Sequence, residues 1–595
     1  MIRELEYPFN ASWILSNRRK IRKKLLASDS SFIEKKVAVL GGSTTSSIVQ
    51  TLELFLLNQG IKASFYESEY GKYYEDAMFK NEVLESFKPD IVYIHTSNRN
   101  VLGYPALSDS KEAIDSMVEA EITRYSEMWE RLSGTYACPI IQNNLEMPLY
   151  RLLGNKDASD IHGAVNYLSR INAGFYEYAQ NHKDFFICDI NYISADYGLK
   201  EWSDPFYWHM YKYALNVSAI PNLAFNVANI IKSIFGKNKK GFVLDLDNTL
   251  WGGVIGDDGV GNIKIGPETP AGQVYSEFQA YVKAHKQLGV VLNIDSKNDE
   301  NNAMSGLKHP NSELTPEDFV EIKANWEPKD RNFTEIANAL NVLPESLVFV
   351  DDNPAERHIV SEQIPGVSAP EIGEPHHYIV NIDRCGFYEA TYLSDDDLKR
   401  NAMYQENVKR IKAQASFSDY GDYLDSLEMK AIIKPFEPIY MARIAQLTNK
   451  SNQFNLTTKR YTQGEIEEIA ENRNYLTLYG RLEDKFGDNG VVSLCIGFLI
   501  DGVCHIDLWL MSCRVLKRDM EYAMMDELVR KCEGIGVHEL KGYYYPTTKN
   551  AMVMDFYGKM GFTKISEADT GSIWSLSISS SYQSQNKHIQ VEVER

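Results

Sequence analysis

Over roughly the first two thirds of the chain, short apolar runs break into Gly, Ser or Asn turns and give way to stretches of helical spacing, the pattern of a parallel sheet covered by helices. VAVLGGSTTSS at 37–47 is the first such unit. IVYIHTS (91–97), PIIQNN (139–144) and FFICDI (185–190) repeat it, which predicts a parallel-sheet α/β domain over residues 1–235. GKNKKG at 236–241 reads as a linker, and GFVLDLDNTLWGG (241–253), VVLNID (290–295) and SLVFVDD (346–352) predict a second α/β unit over 238–385. SDDDLKRN at 394–401 supplies a Ser cap and early acids for a helical connector over 386–430. From 431 to 577 strand-like runs joined by short turns, GVVSLCIGFLID (490–501) and GVCHIDLWLMSC (502–513) among them, predict an α+β domain. Residues 578–595 are polar and are expected to form a mobile tail.

Length and composition narrow this picture. At about 150 residues per domain, 595 residues favour three or four domains. Lys and Arg number 62 against 82 Asp and Glu, so the net charge is 62 − 82 = −20. Such a surface repels polyanions, which argues against a nucleic-acid or acidic-membrane binder. The seven cysteines are scattered and form no C-x-x-C pair, so neither a disulfide framework nor a zinc ribbon is indicated. The charged N-terminus and the lack of a long apolar run predict no membrane span and a cytoplasmic location.

Chemistry concentrates in the second unit. In D-L-D-N-T, Asp245 and Asp247 sit two apart just after an apolar run, so at an extended strand end their carboxylates share a face and invite a cation such as Mg²⁺. Asp351 and Asp352 end another strand, and at the carboxyl edge of a parallel sheet the two pairs can converge as hard oxygen ligands. Ser296 at a third strand end and Lys329 before a helical stretch add a hydroxyl and a cation for phosphate oxygens. A carboxylate nucleophile, a carboxylate acid/base, phosphate-binding groups and metal-holding acids make a phosphoryl-transfer site chemically complete.

DLDNTLWGGVIGDDG, SKND, WEPKDRNF and VFVDDNPAER together resemble the FkbH-like family of the haloacid-dehalogenase (HAD) superfamily. The resemblance implies that Asp245 is the nucleophile and Asp247 the general acid/base. It also implies Thr249 as a support, Ser296 and Lys329 as phosphate ligands, and Asp351 with Asp352 as metal-side acids. Only about 49 residues separate Asp247 from Ser296 and about 33 separate Ser296 from Lys329, leaving no room for a large cap, so the site is expected to be open. The residue before Ser296 is Asp295, where similar sequences would carry a small residue or a cysteine; an acid there is expected to tune Ser296 or the metal.

Two further candidate sites flank this one. SCRVLKRD at 512–519 lies in a strand-to-helix turn, where Arg514, Lys517 and Arg518 are placed to bind the phosphates of a phosphopantetheine thioester or CoA, with Cys513 beside them as a candidate acyl carrier. Asn550 and FYGKMGF (556–562) resemble the closing half of GNAT acyltransferases. NQFNLTT is expected to shape a site floor through Asn452, Gln453, Asn455 and Thr458. GGST at 41–44 resembles the first block of SGNH-type hydrolases, which within an SGNH- or flavodoxin-like domain makes Ser43 a nucleophile candidate with Asn98 as an oxyanion donor; Asp204 and His209 would have to complete the triad. The FkbH-like resemblance implies a Mg²⁺-dependent enzyme that dephosphorylates a small acyl phosphate, 1,3-bisphosphoglycerate, and loads the glyceryl unit on an acyl carrier protein. The alternatives are an acyltransferase of polysaccharide or lipid assembly with an accessory phosphatase, and a carrier-docking scaffold.

Overall fold

The computed structural model describes residues 2–27, 32–393, 395–414, 416–451, 453–547, 549–578 and 582–592. The chain forms two compact units, Met1–Ile234 and Phe235–Arg595. The first is built on a sheet of β1 (Ile33–Gly41), β2 (Ile61–Glu67), β3 (Ile91–His95), β4 (Ile140–Asn143) and β5 (Phe185–Cys188), in the order β2-β1-β3-β4-β5. All pairs are parallel. β3 and β4 are buried at every position because helices cover both faces, which is why these strands read as continuous apolar runs without alternation.

The second unit holds two sheets. A four-stranded parallel sheet has the order β8-β7-β6-β9, with β6 Gly241–Leu244, β7 Val291–Ser296, β8 Glu321–Ala324 and β9 Leu347–Val350. Between β6 and β7 the chain carries the short helix Ile255–Asp258 and the longer Pro270–His285, and between β7 and β8 the helix Glu300–Leu307. Among the described residues these connections hold only short helices and turns, with no inserted domain between β6 and β9. Gly252 and Lys264 exchange main-chain hydrogen bonds of 3.0 and 2.7 Å, closing the glycine-rich segment into a short flap.

The remaining sheet is mixed and nine-stranded. β10 (Met429–Lys434), β12 (Tyr475–Asp484), β13 (Gly487–Ile500) and β14 (Val503–Met511) run antiparallel, then β15 (Glu539–Tyr544) joins β14 in parallel, followed by β17 (Gly571–Ser577) and β16 (Thr563–Ala568). The two-residue strand Phe454–Asn455 (β11) pairs with β14. The expected mobile tail contains a paired strand: Ile589–Glu592 (β18) lies parallel on β10, with Ile589 buried. The exposed edge of β10 offers unpaired backbone groups, and the alternating apolar Ile589 and Val591 suit a sheet face, a signal too short to read in a polar context.

The helices Asp395–Gln414 and Tyr420–Ser426 lead into this sheet, and the first fixes itself to it through a buried ion cluster. Arg410 makes two bonds of 2.8 Å to the Asp484 carboxylate, and Arg518 adds a third at 2.9 Å. All three side chains are buried. Asp484→Asn leaves two guanidinium groups inside without their counter-charge and is expected to lower unfolding stability by about 3–5 kcal/mol. Denaturant titration of the full-length chain measures this.

Candidate active site

Strand register sets the acids of the four-stranded sheet side by side. Leu244 pairs with Val350 across β6 and β9, so Asp245 and Asp351 follow as the next residues on adjacent strands, and Asp245 N donates to Val350 O at 2.9 Å. Both carboxylates are buried, an arrangement that two like charges tolerate only with a cation between them. That cation is Lys329, the first residue of helix Lys329–Ala339, whose Nζ donates to Asp245 Oδ1 at 2.7 Å and to Asp351 Oδ2 at 2.5 Å. The loop after β9 is braced from behind. Asn353 N donates to Asp351 Oδ1 at 2.8 Å, and Arg357 Nη1 donates to the main-chain oxygens of Asp351 and Asp352 at 2.6 and 2.8 Å.

Asp247 is held by three donors. Trp251 Nε1 (2.8 Å) and Ile255 N (3.1 Å) bind Oδ1, while Asn298 Nδ2 (3.0 Å) binds Oδ2. Asn298 lies in the SKND run but carries no charge or nucleophile, so the residue-by-residue reading passed over it; its effect is to fix the Asp247 rotamer from the β7 loop. Thr249 is fully buried, and its hydroxyl accepts from Asp352 N at 3.2 Å. It therefore braces the loop between the two acidic strand ends and is not among the residues that line the cavity.

A cavity of about 370 Å³ opens on this edge, lined by Asp245, Asp247, Ser296, Lys329, Asp351 and Asp352, with Lys297 and Glu356 among its other walls. Carboxylate oxygens of Asp245, Asp351 and Asp352 all lie within 4.8 Å of one another, a hard oxygen donor set of the kind Mg²⁺ takes. Asp247, named with them from the sequence, is outside that group; its oxygens accept the three donors above.

Electrostatics follow from burial. Burial raises the Asp351 carboxyl to about 6, with the charge of Asp245 adding to it. Asp247 and Asp352 are raised for the same first reason. Burial works against the Lys329 ammonium, but Asp245 and Asp351 outweigh it and hold its pKa above the usual lysine range. Asp295 is fully buried; one oxygen accepts from Asn332 Nδ2 at 3.1 Å and the other has no hydrogen-bond partner. Burial pushes this carboxyl up to about 8, which favours its protonated form beside the site.

The other two candidate sites are not assembled as the sequence suggested. In the first unit Ser43 is buried at the end of β1, and its Oγ makes no hydrogen bond among the described residues. Asn98 Nδ2 points at the main-chain oxygens of Glu146 and Met147, each at 3.3 Å, and it is Asn100 that reaches Gly42 O at 2.9 Å. Asp204 caps the helix Pro205–Tyr211 by accepting from Phe206 N, and His209 lies exposed on that helix, so no hydrogen bond joins Ser43, His209 and Asp204 into a triad. Glu146, buried and raised by that burial to about 7, has no counterpart among the sequence candidates.

In the nine-stranded sheet Arg514 and Arg518 are buried, and only Lys517 of the three cations is exposed. Arg518 is drawn inward by Asp484 and Asn407, both distant in sequence, while Arg514 packs on Met403 and donates to the nearby Ser512 hydroxyl. Cys513 is half-buried, and its carbonyl accepts from Asn341 Nδ2 at 2.6 Å. Asn455 Oδ1 accepts from Thr458 N at 2.8 Å, and Asn550 Nδ2 donates to Asn455 O at 2.9 Å, so these amides fix a loop. Gln453 is half-buried, and Asn452 lies outside the described residues. Segment Phe454–Leu456 runs between β14 and β15, with Leu456 N donating to Trp509 O at 3.1 Å and Tyr545 N to Leu456 O at 2.9 Å. It occupies the opening where those two parallel strands diverge.

Comparison with known proteins identifies part of this architecture. Residues 36–232 match the family model of the FkbH N-terminal domain. The N-terminal part of the protein BF1531 from Bacteroides fragilis, which contains a phosphatase domain and was crystallised with Mg, is 29% identical with a TM-score of 0.59, covering 63% of this chain and 99% of that one. The Escherichia coli ribosomal-protein-S18-alanine N-acetyltransferase (13% identity, TM-score 0.21) covers 26% of this chain and 99% of its own. A Streptococcus pneumoniae acetyltransferase of the GNAT family (15%, TM-score 0.21) covers 25% and 100%. At these scores the acetyltransferase likenesses leave the nine-stranded region to be understood from its own geometry. No curated protein matches the chain. Among the described residues no helix is long and apolar enough to cross a membrane.

The raised Asp295 carboxyl has a measurable consequence. Its pKa stands at about 8 in the folded chain against 3.8 for an unperturbed carboxyl, so between those values the folded state holds a proton that the unfolded chain has lost. Stability from this group is therefore complete below the unfolded value, falls as pH rises, and is fully lost once pH passes about 8. Asp295→Asn is expected to gain stability relative to wild type progressively from pH 4 to 8, by at most about 1.4 kcal/mol per pH unit, with no further gain above. Chemical denaturation across pH in EDTA measures the difference; a constant offset would contradict it.

Proposed function

We propose that the carboxyl edge of the four-stranded sheet is a Mg²⁺-dependent phosphohydrolase site acting on a small acyl phosphate. The observation that carries this reading is the convergence of Asp245, Asp351 and Asp352 around Lys329 at one cavity, supported by the 29% identity to a phosphatase-containing structure crystallised with Mg. Asp245, Asp351 and Asp352 would hold the ion, which when bound offsets the charge of phosphate oxygens and carboxylates together.

The protein's own groups divide the remaining work. The Asp245 carboxylate attacks phosphorus, forming an acyl-phosphate bond to the enzyme as the bond to the leaving oxygen breaks. Asp247, raised by burial and held in one rotamer by Trp251, Ile255 N and Asn298, donates its proton to that leaving oxygen. In the second half a water attacks the aspartyl phosphate, Asp247 accepts a proton from it, and free phosphate leaves with Asp245 restored. Ser296 and Lys329 line the same cavity and bind the phosphoryl oxygens.

We further propose that the phosphopantetheine thiol of an acyl carrier protein attacks the carbonyl carbon of the intact acyl phosphate, so that the C–O bond breaks and inorganic phosphate leaves as the thioester forms. The carboxylate site hydrolyses the phosphate ester at the other end of the same substrate, in keeping with the FkbH-domain match and the FkbH-like motifs. 1,3-bisphosphoglycerate is the proposed donor. An acyltransferase of polysaccharide or lipid assembly remains the second reading, and the buried state of Arg514 and Arg518 favours neither.

Asp245→Asn is expected to lower Mg²⁺-dependent phosphate release by on the order of 10³-fold or more while the thermal melt stays cooperative. Asn298→Ala, which leaves one oxygen of Asp247 without its donor, is expected to lower kcat by about 10-fold with little change in KM. Phosphate release from an acyl phosphate measures both. Mass spectrometry of a carrier protein incubated with enzyme, Mg²⁺ and 1,3-bisphosphoglycerate tests the transfer: a glyceryl adduct supports it, and phosphate release without adduct excludes it.

A further inference from the structure

Positive charge gathers where the amino edge of the four-stranded sheet meets the nine-stranded sheet, both within the Phe235–Arg595 unit, and the proposed phosphatase chemistry does not use it. Glu345, just before β9, pairs with Lys549, and its main-chain oxygen accepts from Lys239 Nζ at 2.7 Å. Lys237 stands nearby, half-buried, and makes no hydrogen bond or ion pair among the described residues. Burial, together with the charges of Arg460 and Lys549, pushes its ammonium down to about 7. Arg460 directs its guanidinium at the main-chain oxygens of Thr448 and Asn449. Gly236 packs on Asn449, where an added Cβ would lie 2.6 Å from the carbonyl oxygen, so the Lys237 turn and the Arg460 loop are pressed together.

Continuing from Asn449, Lys450 repeats the pattern. Asp397 pairs with Lys450 at 3.3 Å and with Arg400, while burial and the nearby Arg400 and Arg443 hold the Lys450 ammonium well below its ordinary range. Each end of the seam thus sets several cations around one carboxylate in a chain whose net charge is −20. Like charges in a partly desolvated cleft raise one another's free energy unless an anion joins them. Guanidinium forks beside ammonium groups match the several oxygens of a phosphate better than they match a single carboxylate.

We propose that this seam is a binding site for a pyrophosphate-bearing ligand, held by Lys237, Arg460 and Lys549 with Lys450 at its far end. It is separate from the carboxylate cavity: Lys239 and Lys240 precede the first residue of β6, whereas Asp245 follows the last, about 13 Å along the strand. The inference therefore stands or falls independently of the phosphohydrolase reading.

The test uses the full-length protein in EDTA with inorganic pyrophosphate as the probe, followed by calorimetric titration and thermal melting. Wild type is expected to bind saturably and to gain melting temperature with ligand. Lys237→Gln removes a cation that has no partner, so it is expected to melt no lower than wild type without ligand. The same variant is expected to bind pyrophosphate at least about 10-fold more weakly and to keep Mg²⁺-dependent phosphate release within about two-fold. Lys237→Arg is expected to restore most of the affinity. No saturable binding by wild type, or unchanged affinity in both Lys237→Gln and the Lys237→Gln/Lys549→Gln double variant, would overturn the proposal. So would parallel loss of phosphate release in Lys237→Gln, because that result places the probe in the carboxylate cavity.

Discussion

The ammonium of Lys329, lodged between the buried carboxylates of Asp245 and Asp351, is the contact on which the active-site edge depends. Parallel register forces those two acids onto neighbouring strand ends, and burial there would drive one of them to take up a proton if no cation intervened. Lys329 reaches the gap from the first position of its helix, directly after the N-cap Pro328. Under the proposed chemistry a hard cation entering the oxygen cluster would meet groups already disposed to share positive charge, and Lys329 would then serve phosphate oxygens.

Around that centre fixed hydrogen-bond donors orient the acids or brace the loops that carry them. Trp251, Ile255 N and Asn298 point Asp247, Arg357 grips the main chain beneath Asp351 and Asp352, and Asn332 engages Asp295. In the nine-stranded sheet ion pairs do the fastening, with Arg410 and Arg518 converging on Asp484 to tie a helix to a strand. Guanidinium groups that a linear motif would offer to a ligand are there structural, and a separate gathering of cations lies at the seam by the amino edge of the four-stranded sheet.

Legibility in the sequence tracked the range of the interaction. Asp245 and Asp351 each directly follow an apolar strand, so local pattern alone places them at sheet edges. The parallel sheets were equally readable, because strands buried on both faces appear as unbroken apolar runs. Asn298 was harder, since an amide that orients an acid 51 residues away leaves no local mark. Arg514 and Arg518 misled because their partners, Met403, Asn407 and Asp484, are remote in sequence, and R-x-x-K-R has the same composition whether it faces a ligand or a buried acid. The Asp204 side chain likewise looked available until its role as a helix cap was visible, and β18 hid in a polar segment because its only signal is two alternating apolar residues.

The central claim is that Asp245, Asp351 and Asp352 form the cation site of this edge. A crystal of the full-length protein grown with Mn²⁺ in place of Mg²⁺, and read by anomalous scattering, tests it most directly. The account predicts a peak bounded by oxygens of those three residues at about 2.2 Å. A map with no peak there, with Lys329 still bridging Asp245 and Asp351, would contradict it.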